Sequence, residues 1–254
     1  MLIMRDRMAL NTWLDKAIFL FIWIIMWGLG FAAQPVNIHF FLLVDRTPSF
    51  SYYPFVERSE GGYRKEAVTK VFYSIRKAFS VDPHFSFPVW IAGDKITIVE
   101  IPPALDNRGN EIKAYFRAYP QFTYPGNREE RIKLNRWLIK ITTPLKAPNG
   151  KYVALSRTLR QLLWRYGMSQ ETSSICKVIV LVTDYEDYAK QALTEVEIKR
   201  LKEKFIISEP SDILVLIGSF PSMMKLHNKL QPFSVNLMAG RKAFSKIRER
   251  CQSK

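Results

Sequence analysis

The sequence predicts an α/β domain with a doubly wound, mainly parallel sheet, helices on both of its faces and one hydrophobic helix in front of it. Two apolar runs without polar alternation, at residues 40–44 and 178–182, are typical of strands that are covered on both faces. Segments with helical spacing of apolar residues separate these runs. Such alternation of strands and helices favours a layered α/β architecture.

The hydrophobic segment at residues 17–33 carries no charged side chain, and Arg5, Arg7 and Lys16 precede it. A helix of a globular core would show a polar face, and this segment has none. Its basic start and terminal small residues fit a signal peptide, whereas its length and its tryptophans fit a membrane anchor. Residues 1–34 are therefore predicted to be either of the two. Both alternatives place the domain outside the cytoplasm, anchored to the membrane or, after cleavage, secreted or periplasmic.

Four segments have apolar residues at helical spacing and charged, mostly basic residues on the other face. This pattern predicts amphipathic helices that pack one face against the sheet. The four are residues 64–79, 128–141, 153–166 and 188–205. A hairpin is expected at residues 85–101, and a third buried strand at residues 213–217.

Polar side chains follow the two buried runs directly. Asp45 ends the first run, with Thr47 and Ser49 after it at steps of two, and Thr183 and Asp184 end the second. Open α/β sheets bind ligands just past the carboxyl ends of their strands. A carboxylate with two hydroxyls is an all-oxygen set that suits Mg²⁺, Mn²⁺ or Ca²⁺. The alternative is a purely structural role, in which the acid and the hydroxyls form hydrogen bonds that stabilise the turn and cap the next helix.

These two stretches resemble the motifs of von Willebrand factor A-type domains. V-D-R-T-P-S at residues 44–49 is similar to the Asp-x-Ser-x-Ser signature, and the second run looks like the later strand that ends in Thr-Asp-Gly. The resemblance implies a Rossmann-like fold for residues 35–222. It also implies a metal-ion-dependent adhesion site in which Asp45, Thr47 and Ser49 hold a divalent cation, with Asp184 nearby. Such a domain is a non-enzymatic module that binds another protein, whose acidic side chain completes the coordination.

Two departures from the family pattern predict a degenerate site. The family's separate Thr has no counterpart at residues 149–153, which leaves Thr142, Thr143 and Ser156 as substitutes. The Gly after the second acid is replaced by Tyr185.

An enzymatic alternative is a metal-dependent phosphohydrolase that uses Asp45 as its nucleophile. An apolar strand that ends in Asp resembles the haloacid dehalogenase-type phosphatases, in which a second Asp stands two residues further on. Thr47 takes that place here. The sequence therefore favours the binding module over the enzyme.

The formal net charge of +15 favours anionic partners such as acidic proteins, phospholipid headgroups or nucleic acid. Residues 223–254 contribute strongly to it and are predicted to form a basic helical C-terminal tail that could contact an anionic surface. No motif specific for nucleic acid is present. A third alternative function is therefore a basic scaffold that binds nucleic acid or anionic lipid.

The two cysteines carry little information in the sequence. Cys176 opens the second apolar run, which predicts a core position, and Cys251 lies in the basic tail. Their number and spacing do not indicate a metal site or a disulfide framework.

Overall fold

A computed structural model describes seven stretches of the chain, all of them after the hydrophobic segment. They are residues 36–51, 63–81, 90–113, 117–145, 150–168, 175–213 and 224–254. The segment at 17–33, most of the first arm of the expected hairpin and residues 214–217 of the expected third strand lie outside them. Among the residues described, no helix is both long and apolar enough to cross a membrane.

A mainly parallel sheet forms the centre of the domain. The described strands are β1 Asn37–Asp45, β2 Lys95–Ile101, β3 Pro103–Leu105, β4 Arg117–Ala118, β5 Phe122–Thr123, β6 Lys151–Val153, β7 Ile175–Val182, β8 Ile206–Pro210 and β9 Phe233–Val235. The path of the sheet runs β4-β2-β1-β7-β8-β9, and the pairs β2–β1, β1–β7, β7–β8 and β8–β9 are parallel. β4 and β5 pair antiparallel with β2, and β3 and β6 form a separate two-stranded sheet.

Helices connect these strands along the chain. Capping boxes begin two of them: Asn127 exchanges hydrogen bonds with Glu130, and Thr194 with Glu197. The helices are α1 Pro48–Ser51, α2 Tyr63–Phe79, α3 Arg128–Ile141, α4 Leu155–Leu162 with a π-helical turn Leu163–Gly167, α5 Glu195–Lys204, α6 Met224–Leu230 and α7 Arg241–Gln252.

Helices cover both faces of the sheet, as adjacent residues of β1 demonstrate. Successive side chains of a strand point to opposite faces. Phe40 lies against Phe79 of α2 and Phe244 of α7, at ring-centroid distances of 5.5 and 5.3 Å. Phe41 lies against Tyr166 beyond α4 and Phe205 beyond α5, at 4.7 and 5.8 Å. The predicted doubly wound α/β fold is therefore confirmed.

The chain reverses its direction of winding at β1. It moves from β1 to β2 on one side and later returns to place β7 on the other side, with Val44 opposite Val182. Doubly wound sheets bind ligands at such a switch point, outside the carboxyl ends of the strands. We call this the carboxyl edge of the sheet, and the opposite end of the parallel strands its amino edge.

Two strands differ from what the sequence predicts. β8, at Ile206–Pro210 beside β7, was not predicted, and residues 214–217 of the strand expected at 213–217 lie outside the described residues. Ser208, Glu209 and Pro210 interrupt the apolar pattern there, and so the buried strand was hidden. The strand of the expected hairpin, β2, lies parallel beside β1, and its antiparallel partners are the short strands β4 and β5.

Cys176 and Cys251 form a disulfide, which the number and spacing of the cysteines in the sequence did not indicate. The bond joins the start of β7 to the end of α7, residues that are 75 positions apart in the sequence. Residues 224–254, predicted as a basic tail, supply β9 to the sheet and bury Phe244 and Ile247 of α7 in the core. The described residues from 36 to 254 accordingly form one compact unit.

Candidate functional site at the carboxyl edge

Asp45 closes β1, and both oxygens of its carboxylate accept hydrogen bonds. The backbone N–H and the hydroxyl of Thr47 donate to Oδ1 at 2.7 and 2.6 Å. The hydroxyl of Thr183, which follows β7, donates to Oδ2 at 2.8 Å. All three residues are buried. Pairing of β1 with β7 thus joins two motifs that are 138 residues apart in the sequence.

The electrostatic environment of Asp45 opposes its ionisation. Burial, and then repulsion from Asp184, raise the pKa of Asp45 to about 7, although hydrogen bonds from Thr47 and Thr183 act in the opposite direction. Asp184 is buried as well, and its carboxylate accepts the N–H of Glu186 at 3.1 Å. A bound divalent cation would relieve this repulsion, because its charge favours the ionised form of both acids.

The hydroxyl of Ser49 extends the cluster toward the surface. Its Oγ lies 3.0 Å from Oγ1 of Thr47, and Ser49 is partly exposed where Thr47 is not. Carboxylate and hydroxyl oxygens are the ligands that hard divalent cations prefer. The donor set formed by Asp45, Thr47, Ser49 and Asp184 therefore fits such a cation. In the described part of the chain, no group of three or more His, Cys, Asp or Glu side chains is placed so that it could hold a metal ion by itself.

The three candidate substitutes for the family's separate Thr all have hydrogen-bond partners within the fold. The hydroxyls of Thr142 and Thr143 each donate at 2.6 Å to a carbonyl one turn earlier in α3, and Thr142 also accepts from Arg76. The N–H and hydroxyl of Ser156 donate to Asp187, whose pKa is raised by burial. The hydroxyls of all three residues are therefore used in hydrogen bonds that stabilise the fold.

Tyr185 forms a buried polar cluster that the sequence did not reveal. It has a φ of 62°, which accounts for the glycine that the family uses there. Its hydroxyl donates to Glu209 of β8 at 2.8 Å, and Nε2 of His227 lies 3.0 Å from the same carboxylate. Burial, and then Glu209, raise the pKa of Tyr185. The only signal in the sequence was a tyrosine in a glycine position, because β8 itself was missed.

Comparisons with known proteins give structural likenesses only. No protein-family model and no curated protein matches the chain. Among solved structures it is similar to "von Willebrand factor type A from Catenulispora acidiphila", with 12% identity, a TM-score of 0.43, and 85% of this chain and 43% of that chain covered.

Two further likenesses are to larger proteins. The pilus adhesin SpaC from Lactobacillus rhamnosus GG has 12% identity and a TM-score of 0.42, over 86% of this chain and 30% of that one. The manganese-loaded TRAP protein of Plasmodium vivax has 13% identity and a TM-score of 0.37, over 74% and 65%. The chain spans less than two thirds of the length of each of these three structures.

The chain has a von Willebrand factor A-like fold, which its own topology establishes. The strand order places β1 at the switch point, with the Asp45 motif at its carboxyl end. The Thr183-Asp184 motif follows the neighbouring strand β7 at the same edge. This is the arrangement that the resemblance of the two motifs implied.

Proposed function

We propose that this chain is a non-enzymatic domain, exported or membrane-anchored, that binds another protein at the carboxyl edge of its sheet. The observation that carries the proposal is the meeting of Asp45, Thr47 and Ser49 with Asp184 at the switch point. A divalent cation such as Mg²⁺ bound there would present open coordination positions. An acidic side chain of the partner would fill one of them and so link the two proteins.

The disulfide supports an extracytoplasmic location. Disulfides persist in secreted, periplasmic and cell-surface proteins and are rare in the reducing cytosol. The bond between Cys176 and Cys251 therefore agrees with export by residues 1–34. An assembly at the cell envelope is the setting that we propose for the partner.

A phosphohydrolase receives less support from the geometry. A nucleophilic carboxylate must be ionised and must reach its substrate. Asp45 is fully buried, accepts hydrogen bonds at both oxygens and has a pKa of about 7. These features suit a residue that stabilises a loop or a cation more than one that attacks a phosphate ester.

Calorimetric titration of the full chain with Mg²⁺ and Mn²⁺ tests whether a divalent cation binds at the carboxyl edge. We expect binding heat in the wild type, its loss in Asp45→Ala, and no loss in the control Glu129→Gln, which removes an exposed carboxylate at the start of α3.

Capture of a partner from detergent-solubilised envelope, with cation or with chelator, tests the binding function. Capture that is insensitive both to the chelator and to Asp45→Ala would contradict the proposal.

A further inference from the structure

The amino edge of the sheet brings the ends of three helices together. α5, α6 and α7 all end here, next to the starts of β8 and β9. The disulfide at Cys251 fixes the last turn of α7 to β7, and the ammonium of Lys254 donates to the carbonyl of Lys202 at 3.1 Å. The arrangement therefore belongs to the fold and does not depend on a loose tail.

A groove with a volume of about 480 Å³ lies between these helix ends. Lys202, Arg250 and Lys254 line it together with the apolar side chains of Phe205 and Leu230. It is amphipathic, with cations at its rim and a hydrophobic floor.

A second groove of about 480 Å³ shares Arg250 and Ser253 with the first. Lys246 and Phe233 line this second groove. We call the two together the basic groove.

Lys202 and Arg250 of the basic groove contact neutral partners. Lys202 donates to the amide oxygen of Gln231 at 3.0 Å, and the guanidinium of Arg250 lies 4.1 Å from the ring centroid of Phe233. Burial, and then the nearby charge of Lys204, lower the pKa of Lys254. An anion placed in the groove would gain attraction from several cations at once.

The negative ends of the three helix dipoles offset only part of the positive charge of these side chains. Each helix end carries roughly half a negative unit, so three ends offset about one and a half cations. Glu249 is an acid among the described lining residues, and its carboxylate accepts the hydroxyl of Ser245. Lys202, Lys246, Arg250 and Lys254 line the groove, so positive charge remains in excess.

The same edge is where the chain arrives from the hydrophobic segment. Gln34 and Pro35 alone separate residue 33 from Val36. The carbonyl of Val36 accepts a hydrogen bond from Arg248 of α7 at 2.8 Å, and Arg248 also pairs with the buried Asp94. Part of the basic groove therefore lies on α7, the helix that contacts Val36, the first residue of the chain that the structure describes.

We propose that the basic groove docks on anionic phospholipid headgroups, with phosphate oxygens at its cations and the upper acyl region near its apolar floor. Juxtamembrane cations are attracted to an anionic leaflet in this way. β1 has nine residues and is about 30 Å long, so the carboxyl edge would lie about 30 Å further from the bilayer than the amino edge does. The carboxyl edge would then be accessible to a partner protein. This inference rests on the membrane-anchor alternative within the proposed function.

The test uses the full chain in lipid nanodiscs made of phosphatidylcholine alone or mixed with phosphatidylglycerol. Hydrogen exchange of residues 246–254 is followed by mass spectrometry. We expect exchange to be roughly fivefold slower with phosphatidylglycerol. Attraction of one cation to an anionic surface is worth about 1 kcal/mol, which corresponds to about that factor. The variant Lys202→Glu/Arg250→Glu/Lys254→Glu should lose this difference, as should the milder Lys202→Gln/Lys254→Gln if the first folds poorly.

The control Arg131→Glu/Lys133→Glu/Arg136→Glu makes the same change in charge on the exposed face of α3 and should keep the difference. Equal exchange in both lipids, or loss of the difference in the α3 control, overturns the inference. Slowing by soluble glycerol phosphate without a bilayer also overturns it, because the groove would then bind a small anion. A chain that enters neither disc contradicts the membrane anchor itself.

Discussion

Replacement of Asp45 by Asn should stabilise the cation-free protein at neutral pH, and by an amount that grows with pH. The pKa of Asp45 is about 7 in the folded state, whereas the ordinary pKa of an aspartate is 3.8. The folded state therefore holds a proton that the unfolded state releases between these two values, and stability falls as pH rises through this window. The difference of about three units corresponds to about 4 kcal/mol at 1.36 kcal/mol per unit.

The carboxamide can keep most of the local hydrogen bonds. Its oxygen can accept from the N–H and hydroxyl of Thr47, and its NH₂ can donate to the hydroxyl of Thr183, which then turns its own proton away. The exchange of one bond should cost about 1 kcal/mol. Asp45→Asn should thus be slightly less stable than the wild type near pH 4 and more stable by about 3 kcal/mol near pH 8.

Urea unfolding of wild type and variant with chelator present, at pH 4 to 8, measures this difference. Asp106→Asn is the control, because hydrogen bonds from Asn110 lower the pKa of Asp106. The stability that this acid adds is almost complete above its unfolded pKa, so the difference between this variant and the wild type should stay nearly constant from pH 4 to pH 8. A stability difference for Asp45→Asn that does not change between pH 4 and pH 8 would refute the electrostatic account of the site.

Three further outcomes follow from contacts elsewhere in the domain. Replacing both Cys176 and Cys251 with Ser should lower the free energy of unfolding by about 4 kcal/mol, because the disulfide closes a loop of 75 residues. An unchanged urea midpoint would argue against the disulfide. Tyr185→Phe removes a donor from the buried Glu209 and should cost about 1–3 kcal/mol in the same assay; a neutral effect would contradict the buried hydrogen bond. Arg248→Met leaves the buried carboxylate of Asp94 without its cation, so it should lower the free energy of unfolding by about 3–5 kcal/mol and lower the Tm. An unchanged Tm would show that the ion pair does not stabilise the fold.

The centre of the fold could be predicted because its signals are local. The runs within β1 and β7 are uniformly apolar, as strands covered on both faces must be. Parallel strands place their carboxyl ends at one edge of a sheet, so the acids that end them were expected at the same edge. That the two strands are neighbours was implied only by the resemblance to von Willebrand factor A-type domains.

The parts that were missed depend on contacts between distant residues. β8 carries Ser208 and Glu209 at buried positions, where partners from other elements satisfy them. Ser208 donates to the carbonyl of Ile179, and the carboxylate of Glu209 lies in hydrogen-bond contact with Tyr185, His227 and Ser234. The packing of Phe244 against the sheet and the disulfide likewise depend on where α7 returns. Periodicity within a segment carries no information about such pairings.

The most direct test of the carboxyl-edge site is anomalous scattering from crystals soaked in Mn²⁺. We expect a peak about 2 Å from the hydroxyl oxygens of Thr47 and Ser49, within reach of Asp45 and Asp184 directly or through water. A peak at another place on the protein, or no peak at a saturating concentration of Mn²⁺, would contradict the account of this edge as a cation-dependent binding site.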